Sequence, residues 1–254
     1  MALNYHYPMV NPRLGASFAI FASAYISLAL TLLILEQLGL AAFWVNQAMI
    51  LGPVLFYLII GLMVRTANLE DFFIAGERVP ALYNGLSISA NVLGASAVAT
   101  AIGAIIFLGY DGLPLVLGWC AGLALVAVLF APSLRKAGSF TMPGFLGMRF
   151  SSRALRAIAA LMLFAPSVML LAAELKVGAM IAALFMPLPE IMLIAIGAGI
   201  AALAVLPGGV RSLTWVQCAQ VIVLLLGISA PLIIVSLETT NLPVPQLTYG
   251  AILE

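Results

Sequence analysis

The feature that most constrains this chain is a succession of long apolar runs, separated by short breaks rich in Gly, Pro or charge. A helix that crosses a bilayer needs about 20 predominantly apolar residues at about 1.5 Å each. In hydrocarbon, only helices and closed barrels satisfy every backbone polar group. On that basis seven spans are expected, at Leu14–Leu38, Phe43–Val64, Pro80–Leu108, Pro114–Leu134, Arg156–Phe185, Glu190–Leu206 and Leu213–Leu237. The breaks include GYDGL (109–113), PLPE (187–190) and PGGVR (207–211). Composition agrees: 65% of the 254 residues are hydrophobic and 7% are charged, where a soluble domain carries about 25% charge. The expected class is an all-α integral membrane protein solvated by the lipid bilayer.

The charges test this partition. Alternating the loops places Arg13, Arg65, Arg78, Arg135, Lys136, Arg149, Arg153, Arg156 and Arg211 on one side and no Lys or Arg on the other. Such asymmetry is what the positive-inside rule expects of a cytoplasmic N-terminus, and it puts the C-terminal tail on the opposite, periplasmic side. The first apolar run is too long for a signal-peptide core and lacks a small-residue cleavage site, so it reads as a span. Trp44 and Trp215 fall near span ends, where their rings favour the headgroup level. A net charge of +1 offers no basic face to a nucleic acid. Cys120 and Cys218 lie in apolar segments and read as buried thiols. His6, the single histidine, sits in a polar leader, which excludes haem ligation by a histidine pair. No nucleophile–base pair, metal cluster or phosphate loop points to an enzyme, and PGGVRS reads as a turn. The basic loop from Arg135 to Leu155 fits either a solvated linker with a short helix or a calmodulin-like or lipid-binding patch.

Polar residues at depth carry the functional signal. The third run contains Ser87, Ser89, Asn91, Gly94, Ser96 and Thr100, with Ala90, Gly94, Ala97 and Ala101 spaced by three or four. Small residues at that spacing allow helices to pack closely. The same pattern fits a helix interrupted near Asn91–Ala95, whose freed carbonyls point at an ion or solute near the bilayer midplane. From Pro80 to Leu108 there are 29 residues, more than a straight span requires, which favours the interruption. The fifth run carries Glu174 and Lys176. Intramembrane charges are a functional signal by default, yet residues two apart on a helix face away from each other. Each therefore needs a partner elsewhere, or Lys176 reaches along the helix toward an interface. Pro166 is expected to bend this helix.

Four segments bear a family likeness. DFFIAGERVPALYNGLSISA (71–90), GYDGL (109–113), APSLRKAGSFTMPGFLGMRF (131–150) and PGGVRSLTWVQCAQ (207–220) together resemble the sodium:solute symporter family, in its acetate and monocarboxylate branch. The resemblance runs from about Asn68 to the C-terminal tail. It implies a LeuT-type inverted-repeat fold in a bacterial-type inner membrane. Residues 1–13 would be a leader, 14–64 two helices outside the core, 65–79 a cytoplasmic linker, 80–237 the first five-helix repeat and 238–254 a tail. It further implies that sodium, the coupling ion, binds the main-chain carbonyls of Ala90 and Leu93, and that Ser96 falls among solute contacts. Ser89, Asn91, Gly94, Glu174, Lys176 and Gln217 complete the ion and solute pathway. Departures are visible: Asn91 stands where close relatives have Asp, Glu174 where Gln is expected, and Lys176 where an apolar residue is expected. Gln217 replaces an Asp of some sodium-coupled members but suits this branch.

The resemblance also implies a second five-helix half, which supplies the remaining sodium ligands and the opposite wall of the cavity. After Leu237 there are 17 residues, so two functional classes are expected. The chain is the N-terminal half of a cation-coupled symporter for a small carboxylate, its sodium site completed by a second half. Alternatively, it is a degenerate membrane subunit that does not transport and packs against another membrane complex.

Overall fold

In the computed structural model, residues 14–77, 79–139 and 141–244 are described. The leader with His6 and Arg13, the linker residue Arg78 and the tail from residue 245 lie outside them. All regular structure among the described residues is helical: α1 Leu14–Gln37, α2 Ala42–Met63, α3 Leu69–Ile74, α4 Ala81–Val92, α5 Ala95–Leu108, α6 Leu113–Leu125, α7 Ala131–Lys136, α8 Met142–Arg149, α9 Arg153–Ala183, α10 Glu190–Val205 and α11 Gly209–Thr240. A 3₁₀ turn at Gly109–Gly112 and a π-helical turn at Val126–Phe130 join α5, α6 and α7 into one helical run.

Among the described residues, five helical runs are long and apolar enough to cross a membrane: Phe18–Gln37, Ala42–Met63, Ala95–Lys136, Arg153–Ala183 and Gly209–Thr240. The helix at Glu190–Val205 is apolar but, at 16 residues, shorter than the roughly 20 that a straight crossing takes. The run expected at Pro80–Leu108 is two helices, because the chain leaves helical geometry at Leu93 and Gly94. Helix α9, in contrast, continues unbroken through Pro166.

The chain forms two compact units, Met1–Asn91 with Ala202–Glu254, and Val92–Ala201. In the first, α11 is the central element. Its N-terminal half buries Ser212, Thr214, Val216, Gln217, Cys218, Ala219 and Val221 against α1, α2 and α3. Small residues make this approach possible. A Cβ on Gly61 would overlap the carbonyl of Ala204, and Gly209 turns at φ +56° with its α-carbon against the Phe72 carbonyl. Ser212 Oγ donates to the Gly61 carbonyl at 2.9 Å, and Arg211 pairs with Asp71 of α3 at 2.8 Å. Asn68 caps α3, its side chain accepting from the Glu70 amide at 2.9 Å.

Phe18, Tyr83 and Trp215 close the same unit, with ring centroids 5.1 Å (Phe18–Tyr83), 5.9 Å (Phe18–Trp215) and 5.5 Å (Tyr83–Trp215) apart. Trp215 packs its half-buried ring beside two aromatic neighbours. Trp44, 62% exposed at the start of α2, keeps the open position. Cys218 is fully buried as expected, whereas Cys120 is exposed on α6, because no described element covers that part of the helix, where Leu117 and Leu123 are exposed as well.

In the second unit, Gly112 admits the carbonyl of Ala104, with its carbon 2.8 Å from where a Cβ would stand, so the start of α6 lies against α5. Helix α8 falls within the basic loop. Thr141 caps it by accepting from the Gly144 amide at 3.1 Å, and Pro143 occupies its first turn. Ser152 caps α9 in the same way, accepting from Leu155 at 3.2 Å.

Candidate functional site

The interruption at 93–94 is built from local chemistry. Gly94 is extended (φ −63°, ψ 167°) and serves as the N-cap of α5 without a side chain of its own. The last carbonyls of any helix lack a donor further along it. In α4 these include Ala90, one residue before Asn91 and two before its end at Val92; Leu93 sits in the break itself. Asn91 is exposed. Ser89 turns back on its own helix, its hydroxyl donating to the Gly85 carbonyl at 2.9 Å, and Thr100 does the same to Ser96 at 2.8 Å. Those two hydroxyls are therefore absorbed locally.

Ser96 is different. Its hydroxyl donates to one Glu174 carboxylate oxygen and its amide donates to the other at 3.2 Å. Gly94 is what lets the carboxylate in, because a Cβ there would overlap it. Three expected site residues, Gly94, Ser96 and Glu174, are thus brought together within one unit. A carboxylate that accepts both a hydroxyl and a main-chain amide at the first turn of a helix also complements the helix dipole.

Lys176 does not join them. It forms an ion pair with Glu190 at the start of α10, with side-chain exposures of 57% and 38%. The lysine reaches the end of its helix to find the acid that opens the next one. Glu190 was not among the expected partners, although its place directly after the PLP turn is the signal that could have identified it.

Gln217 belongs to a second group, in the other unit. It is buried and accepts from the Ser87 hydroxyl at 2.6 Å. Cys218, beside it, donates its thiol to the Tyr83 carbonyl at 3.1 Å. Ser87, seen in the sequence as one polar residue of the third run, is here the specific partner of Gln217. Nothing in the spacing could have paired two residues 130 positions apart. Among the described residues, no group of three or more His, Cys, Asp or Glu side chains could hold a metal ion.

The profile of the sodium:solute symporter family matches residues 72–243, a stretch that contains both groups and the break. The chain belongs to the sodium:solute symporter family. An uncharacterized symporter of Cupriavidus necator is 34% identical over 227 residues, covering 87% of this chain and 33% of the relative. The uncharacterized symporter YwcA of Bacillus subtilis is 27% identical over 163 residues, covering 64% of this chain and 32% of the relative. The chain spans about a third of the length of these curated relatives. No solved structure matches it. As a member of the sodium:solute symporter family with several long apolar helices, it is a multi-pass membrane protein of a transporter lineage.

Proposed function

We propose that this chain forms part of the ion and solute pathway of a cation-coupled symporter, with sodium as the coupling ion and a small monocarboxylate such as acetate as the solute. The observation that carries the reading is the break at Leu93–Gly94 in a segment that belongs to a symporter family. Main-chain carbonyls freed in a membrane helix suit a hard cation, which takes oxygen ligands; those of Ala90 and Leu93 would serve. Two carbonyls are fewer than a sodium ion requires, so the remaining ligands would come from helices corresponding to the rest of the longer relatives. On this reading the chain contributes seven crossings, two of them interrupted or short. The loops with Arg65, Arg135, Lys136, Arg149, Arg153, Arg156 and Arg211 face the cytoplasm of a bacterial-type inner membrane, and the C-terminal end faces the periplasm. Residues 80–237 would form the first repeat of a LeuT-type fold.

The test is uptake of labelled acetate into proteoliposomes, with the chain alone and with the C-terminal portion of the Cupriavidus symporter co-reconstituted. Sodium-dependent uptake that requires both parts is the expected result. No uptake with either preparation, or uptake indifferent to sodium, rules the reading out.

One observation favours a second reading, in which the chain is a membrane subunit without transport of its own. Both donors of Ser96 are already taken by Glu174, which leaves them unavailable to a solute. Stable co-purification with an unrelated membrane complex, unchanged in Ser96→Ala, is what this reading requires.

A further inference from the structure

Between Ala131 and Arg156 the chain carries Arg135, Lys136, Arg149, Arg153 and Arg156 and no Asp or Glu. All five cations are exposed, and among the described residues none is in an ion pair; the pairs found involve Lys176 and Arg211. Exposed apolar side chains stand among them: Met142 at 43%, Met148 at 59% and Phe150 at 64%.

The end of α7, helix α8 and the start of α9 meet at one corner. Leu134 at the end of α7 and Phe145 of α8 line a common hollow. Beside it lies a cavity of about 260 Å³, bounded by Gly138, Ser139, Thr141, Gly144, Met148 and Arg156. Gly147 allows α8 to approach α9, since a Cβ there would stand 2.9 Å from the Arg156 side chain. The arginine stem therefore lies along α8 with its head free, as long cationic side chains do at an interface. Both flanking helical runs, Ala95–Lys136 and Arg153–Ala183, are long and apolar enough to cross the membrane, and on the topology proposed above the corner lies at the edge of a leaflet.

We propose that this corner is a binding surface for anionic phospholipid headgroups, with Met142, Met148 and Phe150 entering the acyl boundary. A cluster of cations beside a membrane helix attracts anionic lipid, and apolar side chains among them bury into the headgroup–acyl boundary.

The purified chain in mild detergent is offered phosphatidylglycerol and phosphatidylcholine in equal amounts, and bound lipid is counted by native mass spectrometry. Phosphatidylglycerol is expected to be retained roughly tenfold or more over phosphatidylcholine. The triple variant Arg149→Gln, Arg153→Gln, Arg156→Gln should bring retention to near parity, while Arg65→Gln keeps the preference. A triple variant with Lys at the same three positions preserves charge and should also keep it. A Gln triple that still prefers phosphatidylglycerol overturns the proposal. So does an Arg65→Gln variant that loses the preference equally, which would make it a property of net charge. A Lys triple that fails as fully as the Gln triple overturns charge as the basis of binding, and the proposal with it.

Discussion

Ser87 and Gln217 show what a buried polar pair does in a membrane helix. With Gln217 only 9% exposed and Ser87 6%, neither has bulk water as an alternative partner. Ser87→Ala removes the donor and leaves the amide oxygen unsatisfied, which costs about 1–3 kcal/mol. Thermal unfolding in detergent should show that loss. The double variant Ser87→Ala, Gln217→Met should recover most of it, because replacing both partners with apolar groups removes the unpaired acceptor. An unchanged melting temperature in Ser87→Ala would mean that Gln217 has found another donor. Glu174 raises a different question, since its removal frees two donors on Ser96. In Glu174→Ala, added acetate should raise the melting temperature by occupying the vacated position, with no such effect on the native chain. Acetate that stabilises both proteins equally would place its binding elsewhere.

Helices in this chain meet where side chains are missing. The backbone of α2 touches the end of α10 at Gly61, where a Cβ would stand 3.0 Å from the Ala204 α-carbon and closer still to its carbonyl. Gly85 in α4 has nothing within reach of an added Cβ. The same substitution should therefore have opposite signs at the two sites. Gly61→Ala is expected to destabilise by about 1–3 kcal/mol through overpacking, and Gly85→Ala to stabilise by up to about 1 kcal/mol through helix propensity. Melting temperatures that shift in the same direction would refute the packing account. The break between α4 and α5 belongs to this scale as well. The dividing feature is an extended glycine at the N-cap of α5, with no proline within α4 or α5.

For the whole molecule, the proposed orientation makes a prediction that needs no transport assay. With Cys120 and Cys218 replaced by Ala, a single cysteine at Ala137 or at Leu188 reports the side of each loop. Both positions are exposed. In intact cells, a membrane-impermeant maleimide should label Leu188→Cys directly, and Ala137→Cys only after permeabilisation. Labelling of both in intact cells, or the reverse pattern, contradicts the cytoplasmic assignment of the basic loops.

The apolar runs by themselves determined where the helices lie. Expected and observed limits of α1, α2, α9 and α10 differ by no more than three residues at either end, because each run ends where charge, Gly or Pro makes hydrocarbon or helix unfavourable. The interruption near Asn91–Ala95 was legible for a similar reason: 29 residues are too many for one straight crossing, and the glycine marks where the backbone can turn. Family membership followed from motif order, which is a property of the chain alone. Only the tertiary structure decided which polar residues belong together. Lys176 could have paired with any acid in reach, and it is the approach of α10 to α9 that supplies Glu190. Ser96 meets Glu174 across 78 positions and Ser87 meets Gln217 across 130. Hydrophobic periodicity cannot specify such meetings, since every lipid-facing stripe looks alike until the helices are packed.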